Sequence, residues 1–167
     1  MTMPKSIYDI DLLKPDGTIF RLSELKGKYL LIVNTASTCG FAPQLMELEK
    51  CYQTFQPQGL EILAFPSNQF NQEQQNNENI CTSYNEKFKI TFRIFNKTQV
   101  NGSNAHPLFK FLTHHLPGVL GSKTIKWNFT KFLIHKDGTL LKRFAPITSI
   151  DTITDYLKTL IEKEDPL

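Results

Sequence analysis

Short apolar runs alternate with apolar residues at helical spacing in the first part of the chain. Residues 29–33 form a continuous β-prone apolar run, which is typical of a strand buried on both faces. Pro43 then stands where a first helical turn would begin, and apolar residues follow at helical spacing: Leu45, Leu48, Tyr52 and Phe55. A second apolar run covers residues 61–65. This alternation of strand and helix is typical of an α/β sheet.

The rest of the chain completes this pattern with two hairpins. Turn residues 14–17 and 136–138 each separate two short apolar segments, which predicts a peripheral N-terminal β-hairpin and a second hairpin near the C-terminus. Other elements are predicted as a strand over 93–95, a strand within 127–135, and helices from about Asn77, from Pro107 with Asn104 as its cap, and from about Ser149. No repeat or linker divides the sequence, so we expect one domain over residues 1–167. Its predicted fold class is α/β, a central mixed β-sheet flanked by helices.

Composition narrows the class of protein further. The chain has 167 residues, of which 40% are hydrophobic, enough for one substantial core. No apolar run approaches the roughly 20 residues of a membrane span. The net charge of +3 is spread along the chain, without the cationic stripe that a nucleic acid requires. We therefore expect no nucleic-acid partner. No secretory signal is visible near the N-terminus, so we expect a cytoplasmic location.

Among the three cysteines, Cys39 has the most promising position for chemistry. It follows a predicted buried strand and precedes Pro43, which opens the next helix. Reactive groups of open α/β sheets gather at the carboxyl ends of strands, and a thiol there feels the positive end of the helix dipole. Unpaired main-chain N–H groups favour the thiolate in the same way. Cys39 is thus a candidate nucleophile, or alternatively an inert loop cysteine that packs as a small hydrophobe.

Two further segments offer uncharged hydrogen-bond donors. Trp127, the only tryptophan, lies beside Asn128 just before a predicted strand, and residues 65–73 form a loop rich in Asn and Gln. An indole N–H and a carboxamide together stabilise a thiolate or a departing oxygen without adding charge. Taken singly, the tryptophan is explained by packing and the amide-rich loop by solvation.

Four separated motifs give the chain a resemblance to the glutathione peroxidase family from about residue 7 to residue 161. They are residues 34–40 (Asn-Thr-Ala-Ser-Thr-Cys-Gly), 63–70 (Leu-Ala-Phe-Pro-Ser-Asn-Gln-Phe), 100–102 (Val-Asn-Gly) and 126–129 (Lys-Trp-Asn-Phe). The resemblance implies a thioredoxin-like fold and the reduction of hydroperoxides to water or alcohols. It places the peroxide-reacting residue on Cys39, and its Trp and Asn partners on Trp127 and Asn128.

The sequence departs from that family in the amide-rich loop. The family's catalytic Gln lies in an Asn-Gln-Phe-x-x-Gln-Glu segment, whereas only Asn71 separates Phe70 from Gln72 here. We assign the role to Gln72 because it precedes Glu73, with Gln74 as the alternative. Ser67 also stands where the family usually has a cysteine.

The resemblance further implies that a second thiol resolves the sulfenic acid of Cys39. Thioredoxin-dependent members carry a resolving cysteine on the helix after the amide-rich loop, near the position of Tyr84. Cys81 is nearly one helical turn away and is our candidate, which implies recycling by thioredoxin. Otherwise glutathione resolves Cys39 directly, and Cys81 only packs. Cys51 lies on an apolar helical stripe and is expected to be part of the core.

Several alternatives and absences complete these expectations. A peroxide sensor that passes its oxidation to a partner protein, or a binding module with an unreactive Cys39, stays possible. No Cys-x-x-Cys pair includes Cys39, which argues against a disulfide reductase. The four histidines lack partners at metal-ligand spacing, so no metal and no cofactor are expected. The spans before His106 and between Pro117 and Lys126 are too short for the assembly loop of larger tetrameric relatives, so we expect a monomer.

Overall fold

The computed structural model describes residues 2–164. Within this range the strands are β1 (Asp11–Leu13), β2 (Ile19–Arg21), β3 (Tyr29–Thr35), β4 (Leu60–Pro66), β5 (Arg93–Ile94), β6 (Lys131–Ile134) and β7 (Leu140–Phe144). The α-helices are α1 (Gln44–Phe55), α2 (Asn77–Phe88), α3 (Pro107–His115) and α4 (Ile150–Glu164). Both predicted hairpins are present, and the predicted starts of α2 and α4 are confirmed to within a residue or two.

Five strands form a mixed sheet in the order β5-β4-β3-β6-β7, while β1 and β2 pair separately as an antiparallel hairpin. β3 pairs in parallel with β4, and β4 pairs in parallel with β5. β6 pairs antiparallel to β3 on its other side, and β7 pairs antiparallel to β6. The mixed sheet predicted from the sequence is therefore present, with β3 at its centre.

Helices cover both faces of this sheet because each face is apolar. All seven residues of β3 are buried, as its continuous apolar run predicts. Leu31 and Val33 point to the core formed with α1, α2 and α4, whereas Leu30 and Ile32 point to the core formed with α3 and the N-terminal hairpin. A fully buried aliphatic side chain contributes about 1.5–3 kcal/mol, so both layers are held firmly to the sheet.

A buried lysine fixes the chain after β7 beside the first residue of β6. The Nζ atom of Lys131 donates hydrogen bonds to the carbonyl oxygens of Ala145, Pro146 and Thr148 at 3.4, 3.0 and 3.2 Å. Burial lowers the pKa of Lys131 to about 8, because the charged form loses its hydration. The three carbonyl groups take the place of the water molecules that an exposed ammonium would bind.

Two sequence predictions are wrong in detail. Asn104 does not cap α3; the cap is His106, whose Nδ1 atom accepts a hydrogen bond from the N–H of Leu108 at 3.1 Å. The cap residue must directly precede the first helical residue, which is Pro107, and Asn104 lies too far back. The strand predicted within 127–135 begins only at Lys131, because residues 127–130 form a loop whose polar groups are used in side-chain contacts.

The His106 cap predicts a pH dependence of stability. Burial lowers the pKa of His106 in the folded protein, and its cap requires a ring nitrogen without a proton. The unfolded chain therefore takes up this proton first, so the stability contributed by His106 is complete above about pH 6.5 and is lost as the pH falls below that value. Denaturant unfolding at pH 7.5 and pH 5.5 should show a smaller change in free energy for His106→Asn than for the native chain.

The matched control is His114→Asn, since His114 is exposed on the same helix. An unchanged pH response in His106→Asn would show that the cap does not depend on the neutral ring.

Candidate functional site

Three loops meet at one edge of the sheet. Because β3 and β4 are parallel and β6 runs antiparallel to β3, the carboxyl ends of β3 and β4 lie at the same edge as the amino end of β6. The loop after β3 carries Cys39, the loop after β4 carries Gln72, and the segment before β6 carries Trp127 and Asn128. The topology thus collects the four residues that the sequence predicted as one site at this edge.

Cys39 is almost enclosed at this edge, with 5% of its surface exposed. Its Sγ atom accepts a hydrogen bond from the main-chain N–H of Phe41 at 3.4 Å, so the predicted contact with a main-chain N–H is present. Pro43 is the N-cap residue of α1, which begins at Gln44. The sulfur therefore lies in a turn that leads directly into the positive end of a helix.

Main-chain and side-chain hydrogen bonds join the loop of Cys39 to the loop of Gln72. Thr38 donates its N–H and its hydroxyl to the carbonyl oxygen of Gln72, at 3.1 and 2.6 Å. The side-chain Oε1 atom of Gln72 is buried without a hydrogen-bond partner among the described residues. Gln74, the alternative candidate, is exposed, and its amide donates to the carbonyl of Asn71. Of the two candidates, Gln72 is thus the one with a buried side-chain atom that lacks a partner among residues 2–164.

Asn34 orients the amide of Asn128. Its Nδ2 atom donates to Oδ1 of Asn128 at 3.1 Å, and its Oδ1 atom accepts from the N–H of Thr130 at 2.9 Å. Asn128 is fully buried, and its Nδ2 atom has no partner among residues 2–164. A buried amide N–H₂ without an acceptor is costly, unless a ligand supplies the acceptor.

Trp127 stands at the rim of the same edge. The residue is exposed, at 37%, and the centroid of its ring lies 5.3 Å from that of Phe70 in the amide-rich loop. Its carbonyl oxygen accepts hydrogen bonds from Nδ2 of Asn34 and from the hydroxyl of Thr130. The aromatic contact therefore joins the third segment of the site to the loop that carries Gln72.

Sequence reasoning missed one residue that structures this edge, Glu73. Its carboxylate is buried and accepts hydrogen bonds from Ser37, two residues before Cys39, and from the hydroxyl of Tyr84 on α2. The pKa of Tyr84 is raised well above its usual value, mainly by burial and secondly by the nearby Glu73 carboxylate. The feature of the sequence that could have identified Glu73 is a single carboxylate next to Gln72, in a loop otherwise rich in amides.

The structure does not bring Cys81 to Cys39. Cys81 is exposed on α2 and lines a cleft of about 590 Å³ together with Phe20 and Arg93, and no residue of the three loops lines this cleft. Partial burial raises the pKa of the Cys81 thiol. Cys51 is buried on α1, as expected, and burial raises its thiol pKa as well.

The described residues include neither a metal-binding cluster nor a membrane-spanning helix. No group of three or more His, Cys, Asp or Glu side chains within residues 2–164 is arranged to hold a metal ion. No helix in that range is long and apolar enough to cross a membrane.

The description glutathione peroxidase recurs among known sequences similar to this chain. The family model described as Glutathione peroxidase matches residues 7–113. A Lactococcus lactis protein named Glutathione peroxidase is 47% identical over 157 residues, which are 93% of this chain and 99% of that protein. A Saccharomyces cerevisiae protein named Glutathione peroxidase-like peroxiredoxin 2 is 40% identical over 96% of this chain and 100% of its own length.

Solved structures confirm the thioredoxin-like fold. The crystal structure of T. cruzi GPX1 is similar with a TM-score of 0.75 and 39% identity, over 94% of this chain and 97% of that one. A thioredoxin-family thiol:disulfide interchange protein from Chlorobium tepidum TLS superposes with a TM-score of 0.67 at only 16% identity, over 91% of this chain and 92% of that one. The second likeness shows the fold alone.

Proposed function

The chain belongs to the glutathione peroxidase family and is a peroxidase that reduces hydroperoxides, and from this premise we propose that Cys39 is the thiol that reacts with the peroxide. One observation carries this proposal. The nearly enclosed Cys39 sulfur lies at the edge where Gln72 and Asn128 each have a buried side-chain polar atom without a partner among the residues that the structure describes. An edge with a thiol and unpartnered amides is suited to hold a small polar substrate such as a hydroperoxide.

The proposed first step is a displacement at oxygen. The Cys39 thiolate attacks one peroxide oxygen, the O–O bond breaks, and the second oxygen leaves with the bonding electrons. It takes a proton from water and departs as an alcohol or as water, while the sulfur is oxidised by two electrons to a sulfenic acid. The charge that moves from sulfur to oxygen is stabilised by the indole N–H of Trp127 and by the N–H₂ groups of Asn128 and Gln72, while the unpartnered Oε1 atom of Gln72, an acceptor, is suited to the O–H of a hydroperoxide.

In the second step a thiolate attacks the sulfenic sulfur, the S–O bond breaks as a disulfide forms, and the hydroxide that leaves takes up one proton to become water. We assign this role to Cys81, with thioredoxin as the dithiol that then reduces the disulfide. Cys51 is buried in the core, so Cys81 is the remaining cysteine with an exposed thiol. Because Cys81 opens into a separate cleft, its approach to Cys39 requires α2 to move relative to the loop after β3.

The separate cleft also favours a second candidate, in which glutathione attacks the sulfenic acid of Cys39 directly. A second glutathione then releases the first as oxidised glutathione, and Cys81 takes no part. Both routes use the same first step and differ only in the thiol that resolves it.

Trp127→Phe tests the proposed hydrogen-bond donors. The variant keeps an aromatic ring against Phe70 but lacks the indole N–H, so single-turnover oxidation of Cys39 by hydroperoxide should slow by about 10²-fold, as for other lost donors of this kind. Rapid-quench alkylation with mass spectrometry measures the rate, and thermal unfolding checks the fold. Cys39→Ser should not react, and Tyr52→Phe is the matched aromatic control. Equal rates for Trp127→Phe and the native chain would remove the indole from the site.

Cys81→Ser tests the resolving step. The variant should oxidise Cys39 at the native rate but lose at least 90% of peroxide turnover driven by thioredoxin and its reductase, because the sulfenic acid lacks an internal partner. Cys51→Ala is the control, and it should keep thioredoxin-driven turnover. Normal cycling of Cys81→Ser with thioredoxin would contradict the assignment, and normal cycling with glutathione alone would support the second candidate.

A further inference from the structure

The buried carboxylate of Glu73 links the two loops that carry the proposed reacting groups. We propose that Glu73 is a positioning residue, which places the side chain of Gln72 against Cys39 by fixing the loop after β4 to the loop after β3. This inference rests on the proposed function of Cys39. Glu73 is fully buried and is adjacent in sequence to Gln72.

The two loops run side by side and are joined residue by residue. The N–H of Ser67 donates to the carbonyl of Thr35 at 3.0 Å, where the strands end. The Ser37 N–H donates to Oε1 of Glu73 at 3.2 Å, and the Ser37 hydroxyl donates to Oε2 at 2.6 Å. Thr38 then binds the carbonyl of Gln72. Glu73 thus extends its side chain from the Gln72 loop to the segment just before Cys39, where the hydroxyl of Ser37 meets it, while the hydroxyl of Thr38 reaches the Gln72 loop from the other side.

α2 supplies the third attachment point of the carboxylate. The hydroxyl of Tyr84 donates to Oε1 of Glu73 at 2.5 Å and in turn accepts from the hydroxyl of Thr35 at 3.0 Å. All three groups are buried, so water does not compete for these hydrogen bonds. The carboxylate is therefore fixed both to the end of β3 and to the helix behind it.

Two lysines support the same pair of loops from outside. Lys87 of α2 donates to the carbonyl of Ser37 at 3.1 Å, and Lys97 donates to the carbonyl of Glu73 at 3.2 Å. Each ammonium thus holds the main chain at one end of the Ser37–Glu73 contact. The two positive charges also lie on the main chain on either side of the buried Glu73 carboxylate, which reduces the free-energy cost of burying its negative charge.

The contacts require a carboxylate rather than an amide. Oε1 accepts from the Ser37 N–H and the Tyr84 hydroxyl, while Oε2 accepts from the Ser37 hydroxyl and from the N–H of Gln75 at 3.4 Å. A glutamine places an N–H₂ group at one of these positions. In either orientation it faces a main-chain N–H, which cannot become an acceptor. Glu73→Gln therefore disturbs the loops although it preserves the size of the side chain.

A double-mutant cycle tests whether Glu73 acts through Gln72. In the otherwise native chain, Glu73→Gln should slow single-turnover oxidation of Cys39 by at least tenfold. In the Gln72→Ala background the same substitution should slow it by less than threefold, because the group that it positions is already absent. A purely structural role would lower the melting temperature and slow both backgrounds equally. Equal effects in the two backgrounds, or a native rate for Glu73→Gln, would overturn the proposal.

Two further variants keep the test decisive. Glu78→Gln, at an exposed position of α2, is the matched control, and it should react at the native rate. If Glu73→Gln fails to fold, Tyr84→Phe removes one donor to the carboxylate and leaves Ser37 in place. It should slow oxidation two- to fivefold in the native background and not in Gln72→Ala, and equal effects in both backgrounds would again overturn the proposal.

The failure of this inference is distinguishable from that of the proposed function. If Cys39→Ser retains peroxidase activity, the proposed role of Cys39 is wrong and the rate measurements lose their basis. If Cys39→Ser is inactive and Glu73→Gln oxidises at the native rate, only the positioning role of Glu73 is wrong.

Discussion

The pairing of β3 with β4 on one side and with β6 on the other is the constraint on which the candidate site depends. β3 is buried on both faces, so its register is fixed by two apolar cores and not by its ends. Parallel pairing brings the loops of Cys39 and Gln72 to one edge, and antiparallel pairing brings Trp127 and Asn128 to the same edge. The pairing of the strands therefore determines which loops are neighbours, before any contact between the loops is considered.

Polar contacts then refine what the sheet brings together. Asn34 holds Asn128, Thr38 holds the main chain of Gln72, and Glu73 holds Ser37. These contacts satisfy the polar atoms that position the loops, whereas Oε1 of Gln72 and Nδ2 of Asn128 have no partner within the described part of the chain. Buried polar atoms of this kind are expected at sites where a ligand completes the hydrogen bonding. Stability and proposed reactivity thus draw on the same small set of amides, hydroxyls and one carboxylate.

The sequence predicts most of the fold because apolar periodicity reports burial directly, as β3 and α4 illustrate. It also places Cys39 just after a buried strand, but the grouping of Cys39 with Trp127 and Asn128 came from the family resemblance, because the apolar pattern shows neither the order of the strands nor the antiparallel pairing of β6 with β3. It could not predict the partners of Glu73, which come from β3 and α2 and depend on packing distant in sequence. The direction of Cys81 was equally hidden: one helical turn from Tyr84 does not fix which neighbour a side chain faces, and here the N-terminal hairpin forms its cleft.

Peptide-mapped mass spectrometry of the reduced protein after one equivalent of hydroperoxide tests the role of Cys39 most directly, with the remaining thiols alkylated. The account predicts that Cys39 is oxidised in every molecule that has reacted, as a sulfenic acid or in a disulfide with Cys81, while Cys51 stays a thiol. A Cys39 that is fully alkylated after the peroxide has been consumed would contradict the account.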